Sequence, residues 1–423
     1  MKTKSILAGL LMAATSLVNA QTWNAIGDQV DMNGYINDLT IAPNNNIYVY
    51  GYTRYGNTSA YQVMKWNFVE WLPVGNIGVN NRVDKMAIDN SGNIYVIGYF
   101  TDVTNKYFVM KWNGTTWSPL GTLKSTTVFK DIITDGTNIY VAGVFTNPNN
   151  GETCYVNKWN GTNWTVMPDT NFNGAVNSLD LDENNNLVVA GEIKNALNYY
   201  GVFRLANGIS TEIGKIRSAS IIRKAAYNKA NGQVLASITT TDAYAEPAFY
   251  YNPSNNTWTA ISTNGFISEF QKTNYFIAPS VNSVSVGNTS AGTTTSIGEP
   301  PISNHNLNKT SSCKFDGFGY AVCATTEGKV FRYSQKIYTP LATSETTAKS
   351  KITIYPNPST GIVNISNKEK ISSLEVYDAA GKLLQKAQPN IDKTQIDLSG
   401  KKGVYLIKAT SNSGSDAQNV IIK

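Results

Sequence analysis

From Asn46 onward the chain alternates short apolar runs with Asn- and Gly-rich turns, and one run recurs on a regular beat. NIYVYG ends at Gly51, NIYVIG at Gly98, NIYVAG at Gly143 and NLVVAG at Gly191, at spacings of 47, 45 and 48 residues. A period of roughly 40 to 50 residues fits one four-stranded propeller blade. The second unit resolves into such a blade by its turn chemistry. VDKMAID (83–89) reads as a first strand, NSGN (90–93) as a polar turn, and IYVIGYF (94–100) as a second strand rich in β-branched and aromatic residues. KYFVMKW (106–112) follows as the third strand and TTWSPLG (115–121) as the fourth.

Between those last two strands the motif KWNGTTW, Lys111 to Trp117, repeats KWNFVEW from Lys65 and is repeated by KWNGTNW from Lys158, with a worn copy NPSNNTW from Asn252. Asn113-Gly114 suits a two-residue hairpin turn, which needs positive φ at both positions. That loop would pair Trp112 with Thr115 and Met110 with Trp117, leaving the two tryptophans as diagonal neighbours on one face. The preferred reading is packing against the next blade. A row of sugar-stacking platforms is the alternative.

Weaker units run from Ile221 to Ser262, Phe266 to Gly298 and Cys313 to Ala342. The count comes to about seven blades, within a range of six to eight. QTWNAIG, at 21–27, matches a fourth strand with no preceding three, so it is expected to complete the last blade and close the ring. Tandem β-sandwiches need roughly 100 residues per unit, which the period excludes.

The two ends differ from this body. Residues 1–20 carry Lys2 and Lys4, an apolar run from Ile6 to Met12, and small residues before a cleavage site between Ala20 and Gln21, the order of a secretory signal. No later run is long and apolar enough for a membrane helix. Residues 21–342 form the expected propeller, 343–351 a polar linker, and 352–423 a small β-sandwich of alternating strands. The net charge of +6 sits at these ends: residues 351–423 hold ten lysines against six acids, leaving 23 basic and 23 acidic residues between 21 and 350. A neutral body argues against a nucleic-acid partner, because phosphate neutralisation supplies most of that affinity.

The tail also resembles a known family. Tyr355-Pro356-Asn357-Pro358 with Gly361, Val376-Tyr377-Asp378 with Gly381-Lys382, Gly403-Val404-Tyr405 and the terminal Val420-Ile421-Ile422-Lys423 resemble the type A C-terminal sorting domain of the type IX (Por) secretion system of Bacteroidetes. The resemblance implies recognition by the type IX machinery in the periplasm and passage across the outer membrane. It also implies tail removal, with the cargo attached to surface polysaccharide or released, so the expected location is extracellular or the outer cell surface. The propeller is of kelch-like general type by its repeat, without diagnostic motifs that would carry over a catalytic residue.

Little catalytic chemistry is legible. His305 is the only histidine and lies in polar SNHNLN, which removes His-based triads and multi-histidine metal centres. Asp89, Asp135 and Asp182 belong to tight turns. The stretches 89–93 and 182–186 loosely resemble calcium loops, but neither reaches the bidentate Glu that an EF-hand requires. No P-loop or dinucleotide fingerprint is present. No catalytic, cofactor or metal residue is therefore assigned. Cys313 and Cys323 can pair across a hairpin given a shared face and close Cα approach, and Cys154 reads as a lone strand residue. The loops between second and third strands differ from unit to unit (TRYGNTSA, TDVTNKY, TNPNNGETC), as expected of a surface that binds a glycan or protein. A polysaccharide lyase or glycosidase is the alternative, and a structural surface-layer role a further one.

Overall fold

The computed structural model describes residues 22–338 and 352–423, apart from 28–34, 56–57, 68–69, 80, 147–150, 168–171, 217, 239–247, 262–268, 271–273, 280–282, 291–292, 302–309, 378–382 and 412–413. The signal segment with Ala20 and Gln21, the linker, His305 and Gly381 lie outside the described residues.

Residues 35–73, 83–119, 131–166, 176–212, 222–261 and 269–296 each form one antiparallel four-stranded sheet, blades 1 to 6. Blade 7 takes three strands from 310–333 and its fourth, Trp23–Ala25, from the N-terminal end, in register Trp23↔Tyr333 and Ala25↔Phe331. Among the described residues the propeller is therefore seven-bladed, and the orphan strand closes the ring by joining the N-terminal end to blade 7 as its outer strand.

Alternation explains the fully apolar motif. In Ile47–Tyr50, Ile47 and Val49 enter a core shared with blade 7, whereas Tyr48 and Tyr50 enter a core shared with blade 2. Because successive side chains point to opposite faces and both faces are covered, no polar alternation survives in a second strand. The same division recurs at every blade interface.

The closing glycine of the motif has a separate cause. Five first strands carry a bulge, at Asn37, Asp84, Asn177, Arg223 and Ser311, where the register with the second strand slips by one residue. In blades 1, 2 and 4 the bulge presses the first strand's backbone across the glycine opposite, Gly51, Gly98 or Gly191. A Cβ on Gly51 would overlap the Tyr35 carbonyl oxygen, and one on Gly98 would overlap the Arg82 carbonyl oxygen and stand 2.9 Å from Val83 Cα.

The tryptophan hairpins correct the expected register. Trp112 pairs directly with Trp117, and Met110 with Pro119, around a four-residue loop. Asn113 accepts backbone N–H bonds from Thr115 and Thr116 through its side chain, both at 2.9 Å. Only Gly114 of the expected Asn-Gly pair has positive φ, so the Asn side chain, not a type I′ backbone, makes the turn. The third strand is also shorter than expected, Met110–Trp112, because Thr101 and Tyr107 form a bridge within the preceding loop.

The paired rings then clasp adjacent blades. The fourth-strand indoles of Trp71, Trp117, Trp164, Trp258 and Trp23 donate Nε1–H to the carbonyls of Ile26, Val74, Leu120, Ile213 and Ile297, each just beyond a fourth strand of the preceding blade. Each of these rings also packs on its cross-strand partner: Trp66, Trp112, Trp159, Tyr251 and Tyr333, with centroids 5.2 to 5.6 Å apart. The third-strand rings lie over the glycine that ends the preceding blade. A Cβ on Gly27, Gly75 or Gly121, all at positive φ, would stand 2.5 to 2.6 Å from Trp66, Trp112 or Trp159. All eight tryptophans of the chain are used in these clasps.

In the tail, Ile352–Tyr355, Ile362–Ile371 and Ile391–Asp397 form one sheet, and Leu383–Ala387, Ser373–Tyr377, Gly403–Ser411 and Gly414–Ile422 a second. They enclose a common core that includes Val363, Val376, Ile407, Tyr405 and Ile422. The YPNPSTG segment is a clamp on the chain end. Asn357 donates through Nδ2 to Asn419 O at 2.8 Å and accepts from Ile421 N through Oδ1 at 2.9 Å. Ser359 N donates to Ile421 O, and Lys423 N donates to Ser359 O. The bonds preceding Pro356 and Pro358 are cis. Gly361 sits against Ser399, whose Cα would be 2.7 Å from an added Cβ. Tyr355 is exposed, Tyr377 donates to Glu375, Gly403 holds a positive φ, and the Tyr405 hydroxyl donates to Lys402 O.

Candidate functional site

The repeat's polar residues are largely engaged in holding the blades. Asp89 accepts from the backbone of Ser91 and Asn93, the Asn93 amide and the Tyr95 hydroxyl. Asp135 does the same for Thr137, Asn138 and Tyr140, and Asp182 for Asn184 and Asn186. The motif lysines Lys65, Lys111 and Lys158 lie over Tyr48, Tyr95 and Tyr140. Among the described residues no group of three or more His, Cys, Asp or Glu side chains is arranged to hold a metal. Cys313 and Cys323 face each other in register and are joined by a disulfide, and Cys154 is buried and takes part in no disulfide.

What remains lies on the first strands. Each touches the first strands of both neighbouring blades, so the seven form the inner ring around the axis. Position by register places Asp38, Lys85, Asp131, Ser178, Lys224 and Ser312 at one level of this ring, all but Asp131 just past a bulge. Lys85 Nζ bonds Asp131 at 3.2 Å, and Asp131 also accepts from Leu179 N at 2.8 Å. Ser178 accepts from Ala225 N, and Asp180 accepts from Tyr227 N, which ties blade 4 to blade 5.

These groups feel one another across the ring. Burial works against the charge of Lys85, but Asp131 and then Asp38 outweigh it and raise its pKa. Lys224 is pushed down to about 7 by burial, then by Lys314 and Lys85. Asp180 is raised to about 6 by burial, and burial also raises Asp84. Tyr50, fully buried, is held well above the ordinary tyrosine value by burial and by its hydrogen bond to Asp38. The ring's carboxylates Asp131 and Asp180 are thus occupied as acceptors between blades rather than presented as a catalytic pair.

One end of the ring carries exposed aromatic chemistry. Tyr35, Tyr52 and Tyr61 stand opposite one another across the first three strands of blade 1. The Tyr35 and Tyr61 hydroxyls are 3.5 Å apart, and that contact, then burial, raises the Tyr35 pKa. In blade 2 the corresponding places are taken by Arg82, just before the first strand, and Tyr99, just after the second, with Tyr99 N donating to Arg82 O. The guanidinium carbon lies 4.1 Å from the Tyr99 ring centroid. Tyr35 and Tyr99 are 39% and 40% exposed, with one face of Tyr99 covered by the guanidinium.

No reading of the sequence singled out Arg82, Tyr35, Tyr99 or Lys224. For Tyr35, Arg82 and Tyr99 the available signal was their common position at the glycine that ends the second strand, since Gly51-Tyr52 and Gly98-Tyr99 repeat it, whereas Lys224 lies opposite Ser237 in a blade without that glycine.

Comparison with known proteins bears on the two parts separately. Residues 353–423 match the secretion system C-terminal sorting domain. No characterised protein matches the chain by sequence. Among solved structures, the extracellular domain of the hybrid two component system BT4673 from B. thetaiotaomicron superposes with a TM-score of 0.51 at 12% identity, covering 96% of this chain and 59% of that one. The extracellular domain of BT3049 from the same organism gives 0.50 at 12% identity, covering 95% and 57%. The chain spans less than two thirds of either structure, and at this identity the likeness shows the propeller fold alone. No helix among the described residues is long and apolar enough to cross a membrane. Residues 353–423 are a type IX C-terminal sorting domain, and they mark the propeller ahead of them as cargo for export to the cell surface or beyond.

Proposed function

We propose that the exported propeller is a binding module, which engages an extracellular glycan or protein through the end of the ring formed by blades 1 and 2. The observation that carries this reading is the exposed cluster of Tyr35, Tyr99 and Arg82, on a scaffold whose tryptophans are all committed to blade closure. Exposed aromatics and arginine are the side chains that most often anchor a bound partner. A rigid ring also holds them in place at little entropic cost. The channel carboxylates favour this reading over hydrolysis, since Asp131 and Asp180 already accept hydrogen bonds from neighbouring blades.

The test is a glycan and extracellular-protein array probed with the full chain and with a Tyr35→Ala, Arg82→Ala, Tyr99→Ala triple variant. Retained signal for the parent and loss for the variant, at equal melting temperature, is the expected outcome. Binding that survives the triple substitution would place the ligand elsewhere. Turnover of a polysaccharide without stable binding would favour an enzyme.

A further inference from the structure

Arg82 is the cation at the aromatic end of the ring, and from its setting we infer that the ligand is a carboxylated saccharide, with a sugar face on Tyr35 or Tyr99 and its carboxylate on Arg82. This rests on the binding reading above and narrows its ligand.

Four observations meet at this residue. The guanidinium is stacked on Tyr99, which fixes its plane while leaving its side chain 41% exposed. Its Nε is buried and has no hydrogen-bond partner among the described residues, so a ligand would meet the outer Nη end of the guanidinium. Its ion pair with Asp84 is 3.5 Å long, well beyond the roughly 2.7–2.9 Å of a charge-assisted bond. Lys85, the neighbouring cation, is by contrast already bonded to Asp131. A guanidinium presents a planar fork that matches a carboxylate with two parallel bonds, and a stacked one loses little freedom in making them.

The flanking rings supply the other half of the ligand. Tyr35 and Tyr99 belong to adjacent blades and border Arg82, so a ring laid on either can turn an anionic substituent toward the guanidinium. Tyrosines combine an apolar face with a polar hydroxyl, which suits a sugar that shows C–H on one face and hydroxyls at its edge. The paired Tyr35 and Tyr61 hydroxyls add polar groups at that border. A purely neutral glycan would offer Arg82 only single, uncharged hydroxyl acceptors in place of the paired, charge-assisted bonds of a carboxylate. A free acidic peptide would use the guanidinium but has no sugar face for both tyrosine rings.

The experiment uses the full chain with polygalacturonate, alginate and hyaluronan as probes, each compared with its carboxyl-reduced form, and dextran sulfate as a charge control. Binding to at least one uronate, lost on carboxyl reduction and not matched by dextran sulfate, is expected. Arg82→Ala should weaken it by about tenfold or more, the scale of a lost charge-assisted bond. Arg82→Lys, which keeps the charge and loses the fork, should fall between, with unchanged melting for both. Equal binding of the carboxyl-reduced polymer would overturn the carboxylate while leaving the binding module standing. So would full affinity in Arg82→Ala. Silence toward every probe overturns the inference, and the arrays then decide separately whether another glycan or a protein is bound.

Discussion

Trp71 offers the sharpest test of how the propeller is held together. It is 5% exposed, stacks on Trp66 and donates its indole N–H to Ile26 O at 3.0 Å, thereby fastening blade 1 to the residue after the ring-closing strand. A buried indole removes about 200 Å² from water, or roughly 5 kcal/mol at ~25 cal/mol per Å², and large-to-small aromatic truncations cost about 3–5 kcal/mol. Trp71→Phe keeps most of that area and loses one hydrogen bond, for roughly 1–2 kcal/mol. A domain of about 300 residues unfolds with an entropy near 0.6 kcal/mol/K, from ~2.1 cal/mol/K per residue. Trp71→Ala should therefore lower the melting temperature by about 5–8 °C and Trp71→Phe by about 2–3 °C. Differential scanning calorimetry reads both shifts, and limited proteolysis should find residues 22–27 released earlier in the Ala variant. If Trp71→Ala melted like the parent and instead lost a glycan ligand, the tryptophan would be a sugar platform and the clasp argument would fail.

Further expectations concern the bulges, the channel, the disulfide and the tail. Gly98→Ala should cost about 1–3 kcal/mol or more by forcing Cβ onto the Arg82 backbone. Gly143→Ala, whose Cβ would meet the Phe145 ring at 3.0 Å, should cost less, and matched denaturant titrations would show the order. Lys224 has a pKa lowered from 10.5 to about 7, so the unfolded chain holds its proton more tightly over that interval. Stability from this group therefore rises with pH between 7 and 10.5. Lys224→Met should be more stable than the parent at pH 6 and lack that rise, and parallel profiles would refute the assignment. Asp180, raised from 3.8 to about 6, has the opposite sign, since the folded state holds the extra proton and stability is lost as pH climbs through 6. The Cys313–Cys323 bridge closes a short loop, so Cys313→Ala with Cys323→Ala should cost roughly 2–3 kcal/mol, read by urea unfolding. Asn357→Ala removes both side-chain bonds to the terminal strand, and should lower tail stability by about 1–3 kcal/mol. Amide exchange would then rise at Ile421.

Much of the fold was legible because repetition amplifies weak local signals. The NIYVxG beat gave the blade length, and the orphan QTWNAIG gave ring closure, now visible as Trp23–Ala25 in blade 7. The hairpin register was misread because Asn113-Gly114 favours a two-residue turn when judged alone. The corrective signal was present: KWNFVEW keeps four residues between Trp66 and Trp71 without any glycine, which a type I′ turn would require. The bulges were not legible, since they depend on how a first strand crosses its neighbour, over a glycine in blades 1, 2 and 4 and over other residues in blades 5 and 7. The site was hidden for a similar reason. Arg82 takes in blade 2 the place that Tyr35 has in blade 1, so the equivalence exists in register and not in residue type. The tail needed no such help, because YPNPSTG and NVIIK are the two halves of one clamp.

The most direct test sets two variants against each other in one binding and melting experiment on the full chain. Tyr35→Ala with Tyr99→Ala is expected to lose ligand and keep its melting temperature. Trp117→Phe is expected to keep ligand and melt lower, by about 2–3 °C. The reverse pattern, with ligand lost only in the tryptophan variant, would contradict the division between closing residues and binding residues on which the account stands.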